Sequence, residues 1–88
     1  MKPAVIIPEM RDILAVVEHI NREGKNPDEI TIFKELHESN QHHGWELEAI
    51  GVFVYTTWLS KRGYLRRYFG GQYQITEKGR QVFGGAPV

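Results

Sequence analysis

The sequence predicts a small α+β fold, in which three helices precede a two-stranded β-hairpin and a short final helix. Two observations carry this prediction. Before Gly63, apolar side chains recur at the three- and four-residue intervals of helices, whereas after it two aromatic or β-branched runs flank Gly70 and Gly71. A chain of 88 residues can bury one core. We therefore expect a single domain over residues 1–83 and a flexible tail over residues 84–88.

The composition is that of an ordinary soluble protein. Apolar residues make up 41% of the chain and charged residues 25%, and no apolar run approaches the roughly 18–20 residues that a membrane span needs. Residues 1–7 are too short for the apolar region of a secretion signal, which takes about 7–15 residues. The chain has no cysteine, which excludes disulfides and thiol chemistry. The expected location is therefore the cytoplasm.

The first helix is predicted over residues 8–23. Pro8 suits a first helical position, and Glu9 and Asp12 favour the positive end of the helix dipole. Apolar side chains then recur with helical spacing at Met10, Ile13, Leu14, Val17 and Ile20. Gly24 ends the pattern.

The start of the second helix has two interpretations. Residues 26–29 (Asn-Pro-Asp-Glu) resemble a capping box with proline in the first turn, whereas Thr31 could cap a shorter helix that runs to Ser39. In the shorter helix the buried side chains would be those of Ile32, Phe33 and Leu36. A polar turn over residues 40–44 would follow.

The third helix is predicted over residues 46–62. At about 100° per residue, one arc carries Leu47, Val52, Val54, Tyr55, Trp58 and Leu59. The opposite arc carries Ala49, Phe53, Thr56, Thr57, Ser60 and Lys61. We expect the first arc to face the core and the second to face solvent or a ligand. Phe53 is the exception, and we expect it to pack on the second helix or across a dimer interface.

The hairpin is predicted from two runs, residues 64–69 and 72–76, joined by a two-residue glycine turn. Strand alternation sends Leu65 and Arg67 to one face and Arg66 to the other. Arg66 therefore faces outward, and Arg67 reaches the surface near the tip of the hairpin.

Charge is divided along the chain although the net charge is zero. The first sixty residues hold ten acids and five bases, whereas residues 61–88 hold six bases and a single acid, Glu77. A basic region confined to one end can draw a polyanion to that end. The charge pattern therefore favours an anionic partner for the C-terminal region.

A motif runs from the end of the third helix through the hairpin. Leu59 is followed by Gly-Tyr-Leu over residues 63–65, and the second run reads Tyr-x-Ile-Thr-x-x-Gly over residues 73–79. This order resembles the C-terminal half of a winged helix-turn-helix domain, and it is most similar to the MarR and PadR types of bacterial regulator. The resemblance implies a third helix in the major groove of DNA and a basic wing on the phosphate backbone.

The resemblance also bears on the second helix and on assembly. Winged-helix domains usually have a brief strand before their second helix, which residues 29–31 would supply, so we favour the shorter helix that begins at Thr31. Such regulators commonly bind DNA as homodimers, because two half-sites multiply modest affinities. We therefore expect a transcriptional regulator that is a homodimer on double-stranded DNA.

The side chains expected to contact DNA lie on the third helix, the hairpin and the final helix. They are Thr56, Thr57, Ser60, Lys61, Arg62, Arg66, Arg67, Lys78 and Arg80. Small hydroxyl side chains beside a lysine let a helix approach the sugar–phosphate backbone and base edges, and arginines neutralise phosphates. The alternative is a basic face that contacts solvent and binds no ligand, in which Lys61 and Arg62 only stabilise the negative end of the helix dipole.

A second class of function is a protein-docking module, in which the acidic first and second helices bind a basic partner. Winged helices serve both purposes, so the fold alone does not choose between them. The preference for DNA therefore depends on the segregated charge.

Enzymatic and metal chemistry have little support. The chain has two serines, Ser39 and Ser60, and lacks a nucleophile elbow, a phosphate-binding glycine loop and a His-Glu-x-x-His pair. Three histidines, His37, His42 and His43, could in principle bind zinc or nickel, but adjacent histidines in a short turn seldom point at one ion. We expect no catalysis, no metal and no cofactor.

Overall fold

A computed structural model of the chain describes residues 6–38 and 49–83. In chain order the elements are α1 (Pro8–Arg22), α2 (Glu29–Glu38), α3 (Ala49–Lys61), β1 (Leu65–Arg67), β2 (Tyr73–Ile75) and α4 (Glu77–Arg80). Over these residues the fold is α+β, with four helices and one antiparallel hairpin, as the coarse class predicted. No helix in the same ranges combines the length and apolar character that a lipid bilayer requires.

Helix α1 has the predicted position and is the main wall of the core. It begins at Pro8 and ends one residue before the predicted end. Gly24 follows with a φ of 84°, a conformation that glycine adopts at little cost, and its N–H donates to the Asn21 carbonyl at 2.9 Å. The apolar face of α1 is buried against α2, α3 and β2.

Helix α2 begins at Glu29, so the prediction of a strand over residues 29–31 and a helix start at Thr31 is wrong. The reason is the side chain of Asp28, whose Oδ1 accepts the Thr31 N–H at 2.8 Å and caps the helix from an earlier position. That backbone hydrogen bond, with a second bond from the Thr31 side chain, lowers the pKa of Asp28. Ile32 and Leu36 are buried as predicted, and Phe33 packs partly against the core.

The chain ahead of α2 does lie beside the hairpin, but earlier than predicted. The Pro27 carbonyl accepts the Tyr73 N–H of β2 at 2.8 Å. This bond serves the edge of β2 that does not face β1, where the Asn21 side chain also accepts the Ile75 N–H at 2.8 Å. The predicted polar turn over residues 40–44 lies outside the described residues.

Helix α3 is rotated relative to the predicted arcs. Val52 and Leu59 face the core as expected, but Thr56 is fully buried with them and Val54 is 55% exposed. Burial of Thr56 is tolerated because its Oγ1 donates to the Val52 carbonyl, one turn back, at 2.8 Å. The helix ends at Lys61, one residue before the prediction, and its predicted start at residue 46 lies outside the described residues.

The hairpin has the predicted faces but a longer loop. Its register pairs Leu65 with Ile75, Arg66 with Gln74 and Arg67 with Tyr73. The loop contains three residues, Phe69, Gly70 and Gly71, where two glycines were predicted.

Two hydrogen bonds define this loop. Tyr68 N–H donates to the Gln72 carbonyl at 2.7 Å, and Gly71 N–H donates to the Tyr68 carbonyl at 3.0 Å. Gly70 has a φ of 97°, which suits the third position of a type II turn. Phe69 therefore belongs to the turn and not to the first strand.

The short helix α4 locks onto the start of the hairpin. Thr76 caps α4 by accepting the Gly79 N–H at 3.1 Å, and its hydroxyl donates to the Gly63 carbonyl at 2.6 Å. A Cβ on Gly79 would lie 2.7 Å from Cγ1 of Ile75 and would clash with the Tyr64 carbonyl oxygen. The Ile-Thr-x-x-Gly motif thus supplies the threonine that caps α4 and the glycine that fits against Ile75 and Tyr64. Residues 84–88, predicted as a tail, lie outside the described residues.

Candidate nucleic-acid interface

A ladder of aromatic rings and cations joins α3, the residues between α3 and β1, and α4. The Trp58 and Tyr64 rings are nearly parallel, at 8°, with centroids 6.2 Å apart. The Arg62 guanidinium lies 5.0 Å from the Trp58 centroid, and Lys78 Nζ lies 4.6 Å from the Tyr64 centroid. Each cation therefore covers one ring of the stack, at a distance typical of cation–π contacts.

A hydrogen bond closes this ladder. Lys78 Nζ donates to the carbonyl of Arg62 at 2.9 Å, which ties α4 to the end of α3. Both charged residues, Arg62 and Lys78, are exposed at the surface. The fold thus brings together cations that lie 16 residues apart in the chain.

The hairpin adds two more exposed cations. Arg66 lies on the outer face of β1 opposite Gln74. Arg67 is paired with the buried Tyr73, yet its own side chain is exposed near the tip of the hairpin. The sequence predicted both orientations.

Five of the six C-terminal cations remain uncompensated. Lys61, Arg62, Arg66, Arg67 and Lys78 are all exposed, and none forms an ion pair with an acid among the described residues. We call these five residues the basic surface. Their positive charges are available to a ligand.

Arg80 differs from the other predicted contacts. Its Nε lies 3.2 Å from Oε2 of Glu18 on α1, and its Nη1 lies 3.8 Å from Oε2 of Glu77. The first pair staples α4 to α1. Arg80 is therefore held by acids and does not belong to the basic surface.

The predicted reading residues of α3 are mostly not available to a ligand. Thr56 is fully buried, so it cannot contact DNA, contrary to the prediction. The Thr57 hydroxyl oxygen is also buried and has no hydrogen-bond partner within the part of the chain that the structure describes. Ser60 is half-buried, and Lys61 is exposed. Only the C-terminal end of α3 presents polar groups from this set.

The outward side of α3 is apolar instead. Ile50 is 70% exposed, Phe53 is 50% exposed and Val54 is 55% exposed. We call these three residues the apolar strip. Sequence reasoning placed only Phe53 on the outer side, because apolar residues surround most of this helix and its periodicity indicates no clear face.

The tip of the hairpin presents an aromatic side chain that the sequence analysis did not single out. Phe69 is fully exposed, and Tyr68 beside it is partly exposed. The glycine pair favoured a two-residue loop, which left Phe69 in the predicted first strand. Only a three-residue loop includes Phe69 in the turn. The basic surface and Phe69 lie on the same hairpin.

The acids of α1 and α2 are largely engaged within the protein. Glu18 pairs with Arg22 and with Arg80, and Asp28 caps α2. Glu29 Oε2 accepts the Tyr73 hydroxyl at 2.6 Å. Burial, followed by this hydrogen bond, raises the pKa of Tyr73. The acidic front predicted as a docking surface therefore has structural uses for several of its carboxylates.

The described residues contain no group of three or more His, Cys, Asp or Glu side chains placed to hold a metal ion. His37 contacts the Phe33 ring, with centroids 4.4 Å apart. His42 and His43 lie outside the described residues. The residues described thus give no geometry for the histidine cluster considered from the sequence.

No family model matches this chain, and comparisons with curated proteins and with solved structures give no match either. The interpretation of the site therefore depends on its geometry and charge.

Proposed function

We propose that this protein is a winged helix-turn-helix domain that binds double-stranded DNA and regulates transcription. The single observation that carries the proposal is the basic surface, five exposed cations without an acidic partner among the described residues. DNA carries a dense row of phosphates, and neutralising them releases condensed counterions. A cluster of unpaired cations on a small fold suits that ligand.

The architecture supports the winged-helix part of the proposal. Three helices precede an antiparallel hairpin, and α2 and α3 pack against each other. The Pro27 carbonyl bonds to β2 at the place where winged-helix domains usually have their brief first strand. The hairpin is then the wing, and α3 is the helix that corresponds to the recognition helix.

Contact with DNA would come from the wing and the C-terminal end of α3. Arg66 and Arg67 would contact phosphates beside the groove that the hairpin enters, and Lys61 and Arg62 would contact the backbone from the end of α3. The aromatic ladder orients Arg62 and Lys78, which lowers the entropy lost when they bind. Because Thr56 is buried, direct reading of bases by α3 would depend on Ser60 and Lys61.

Fluorescence anisotropy with a labelled random duplex tests this proposal. The wild-type protein should bind at low salt, and Arg66→Ala should weaken binding about tenfold because one charge-assisted contact is lost. Arg22→Ala is the matched control, since it removes another exposed arginine, one that pairs with Glu18 at 2.8 Å. Equal losses in the two variants, or no binding by the wild type, would contradict the proposal.

The apolar strip favours a second candidate function, a protein-docking module. An exposed row of large apolar side chains on one helix is unusual at a solvated surface. The strip also offers a place for the homodimer contact expected of such regulators. It would bury Ile50, Phe53 and Val54 against a second copy or another protein.

Sedimentation velocity at tens of micromolar distinguishes these uses. If the strip joins two copies, the wild type should sediment as a dimer and Phe53→Glu as a monomer, because burial of a carboxylate in an apolar contact is costly. A wild-type monomer that also binds DNA one-to-one would rule out the homodimer.

A further inference from the structure

Phe69 is the most exposed aromatic side chain in the described part of the chain, and the fold places it at the end of the hairpin. Gly70 and Gly71 follow it, so no side chain on that side of the turn shields the ring. A Cβ built on Gly70 would have no other atom within 4 Å. The ring therefore projects from a narrow, open tip.

Hydrogen bonds across the hairpin hold the turn that carries Phe69. The Tyr68 N–H donates to the Gln72 carbonyl at 2.7 Å, and the Tyr68 hydroxyl bonds to Gln74 Oε1 at 2.5 Å. Behind the tip, the Tyr73 hydroxyl bonds to Glu29 of α2. The hairpin is thus hydrogen-bonded to α2, so the turn that carries Phe69 is held in place.

The arginines before Phe69 favour an anionic partner, because the Glu29 carboxylate beside the turn, 3.9 Å from a Cβ built on Gly71, already binds the Tyr73 hydroxyl. Arg66 and Arg67 lie three and two residues before Phe69, respectively, and have no acidic partner among the described residues. An apolar ring between such cations and two glycines does not suit a hydrophobic protein groove, because burial there would also desolvate the arginines. It suits a nucleic acid, whose phosphates bind the arginines while its stacked bases receive the ring.

We propose that Phe69 is a wedge that inserts between neighbouring bases of the bound duplex. This inference depends on the proposed DNA binding and adds a deformation of the duplex to it. A wedge must separate stacked bases, so insertion is least costly where the stack is already weakened. The protein should therefore prefer a duplex with a weakened central step to a fully paired one.

The test compares two labelled duplexes of equal length, one fully paired and one with two adjacent central mismatches. Wild-type protein should bind the mismatched duplex about tenfold more tightly, because a mismatched step is already partly unstacked and costs less to separate. Phe69→Ala should reduce that ratio to about one, and Phe69→Trp should retain it. Arg66→Ala should weaken binding to both duplexes and leave the ratio unchanged.

The outcomes separate the wedge from DNA binding itself. If the wild type binds both duplexes equally, or if Phe69→Ala keeps the tenfold preference, the wedge is wrong and the proposed DNA binding stands. If the wild type binds neither duplex at low salt, the proposed function fails and the wedge with it. Circular dichroism should show that Phe69→Ala is folded, because the exposed ring makes no core contact.

Discussion

The charged side chains of the N-terminal helices and of the C-terminal region differ in their partners. On α1 and α2, carboxylates cap a helix, accept a tyrosine hydroxyl or pair with arginine. In the C-terminal region, the five cations of the basic surface are exposed and have no acidic partner among the described residues. Several charges in the first region thus stabilise the fold, whereas the five cations of the basic surface form no ion pair with a described acid.

The partners of the charged side chains are more informative about a binding site than the net charge is. Like charges close together repel and cost the folded state some stability, and Arg62 and Lys78 lie over neighbouring rings of one stack. Here the aromatic ladder and α4 supply the support. The position of a charge relative to its partners, and not its sign alone, identifies the candidate site.

The largest expected effect is on DNA binding by the C-terminal region. Arg66→Ala combined with Arg67→Ala should lower duplex affinity roughly a hundredfold at 50 mM salt, about 3 kcal/mol, because two charge-assisted contacts are lost. Thermal stability should hardly change, since both side chains are exposed. Anisotropy titration measures the first effect and calorimetry the second. A loss of affinity under threefold would place the binding site elsewhere.

The next effect tests how the basic surface is held in place. Gly79→Ala should lower the free energy of unfolding by about 2 kcal/mol, because an added Cβ overpacks the contact with Ile75 and the Tyr64 carbonyl. Gln81→Ala, at an exposed position just beyond α4, is the control and should be close to neutral. Urea denaturation gives both values. Unchanged stability of Gly79→Ala would show that α4 does not pack as described.

A third prediction concerns the brace between α2 and the hairpin. Tyr73→Phe should cost about 1.5 kcal/mol, because Glu29 loses a buried partner, whereas Tyr68→Phe removes a more exposed bond and should cost under about 0.5 kcal/mol.

The pH dependence of the same pair gives an independent check. The pKa of Tyr73 is raised above its ordinary value of 10.0, first by burial and then by the bond to Glu29. The protonated phenol is therefore favoured in the folded state, so its stabilisation is present below pH 10 and is lost as the pH rises further. Chemical denaturation between pH 9 and 11 should show this loss in the wild type but not in Tyr73→Phe.

A smaller effect is expected at the start of α2. Asp28→Ala should cost about 1 kcal/mol at neutral pH, because the Thr31 N–H loses its cap. The pKa of Asp28 is lowered from its ordinary 3.8, so its contribution is present above that value and is lost as the pH falls towards the lowered pKa. The stabilities of wild type and Asp28→Ala should therefore converge in acid. A constant difference down to pH 2 would contradict the cap.

The smallest effect marks the border between the two regions. Arg80→Ala should cost about 0.5 kcal/mol of stability, because its ion pairs are at the surface, and should change duplex affinity less than about threefold. A tenfold loss of affinity would return Arg80 to the basic surface and weaken the contrast between paired and unpaired charge.

The sequence predicted the elements whose signals are local. Proline and glycine mark both ends of α1, and strand alternation gave the faces of Arg66 and Arg67. The second helix was misplaced because Asp28 and Thr31 are both capable caps, and only the structure shows which one caps. The loop was misjudged by one residue, which concealed Phe69.

Other features depend on contacts that no local pattern contains. Arg80 meets Glu18 across 62 residues, so its neutralisation could not be predicted. Thr56 was expected outside because the helical winding placed it on the arc opposite the apolar side chains, but a bond to the carbonyl one turn back makes its burial inexpensive. The basic segment itself was clear from the sequence, and its aromatic support was not.

The salt dependence of binding shows whether the basic surface contacts the backbone of duplex DNA, as proposed. Each neutralised phosphate contributes about 0.9 to the slope of log K against log salt, so five contacts predict a slope of about −4 to −5 for a random duplex. Arg22→Ala should keep this slope, and Arg66→Ala should flatten it by about one unit. A wild-type slope flatter than about −1, or no binding at low salt, would contradict the claim.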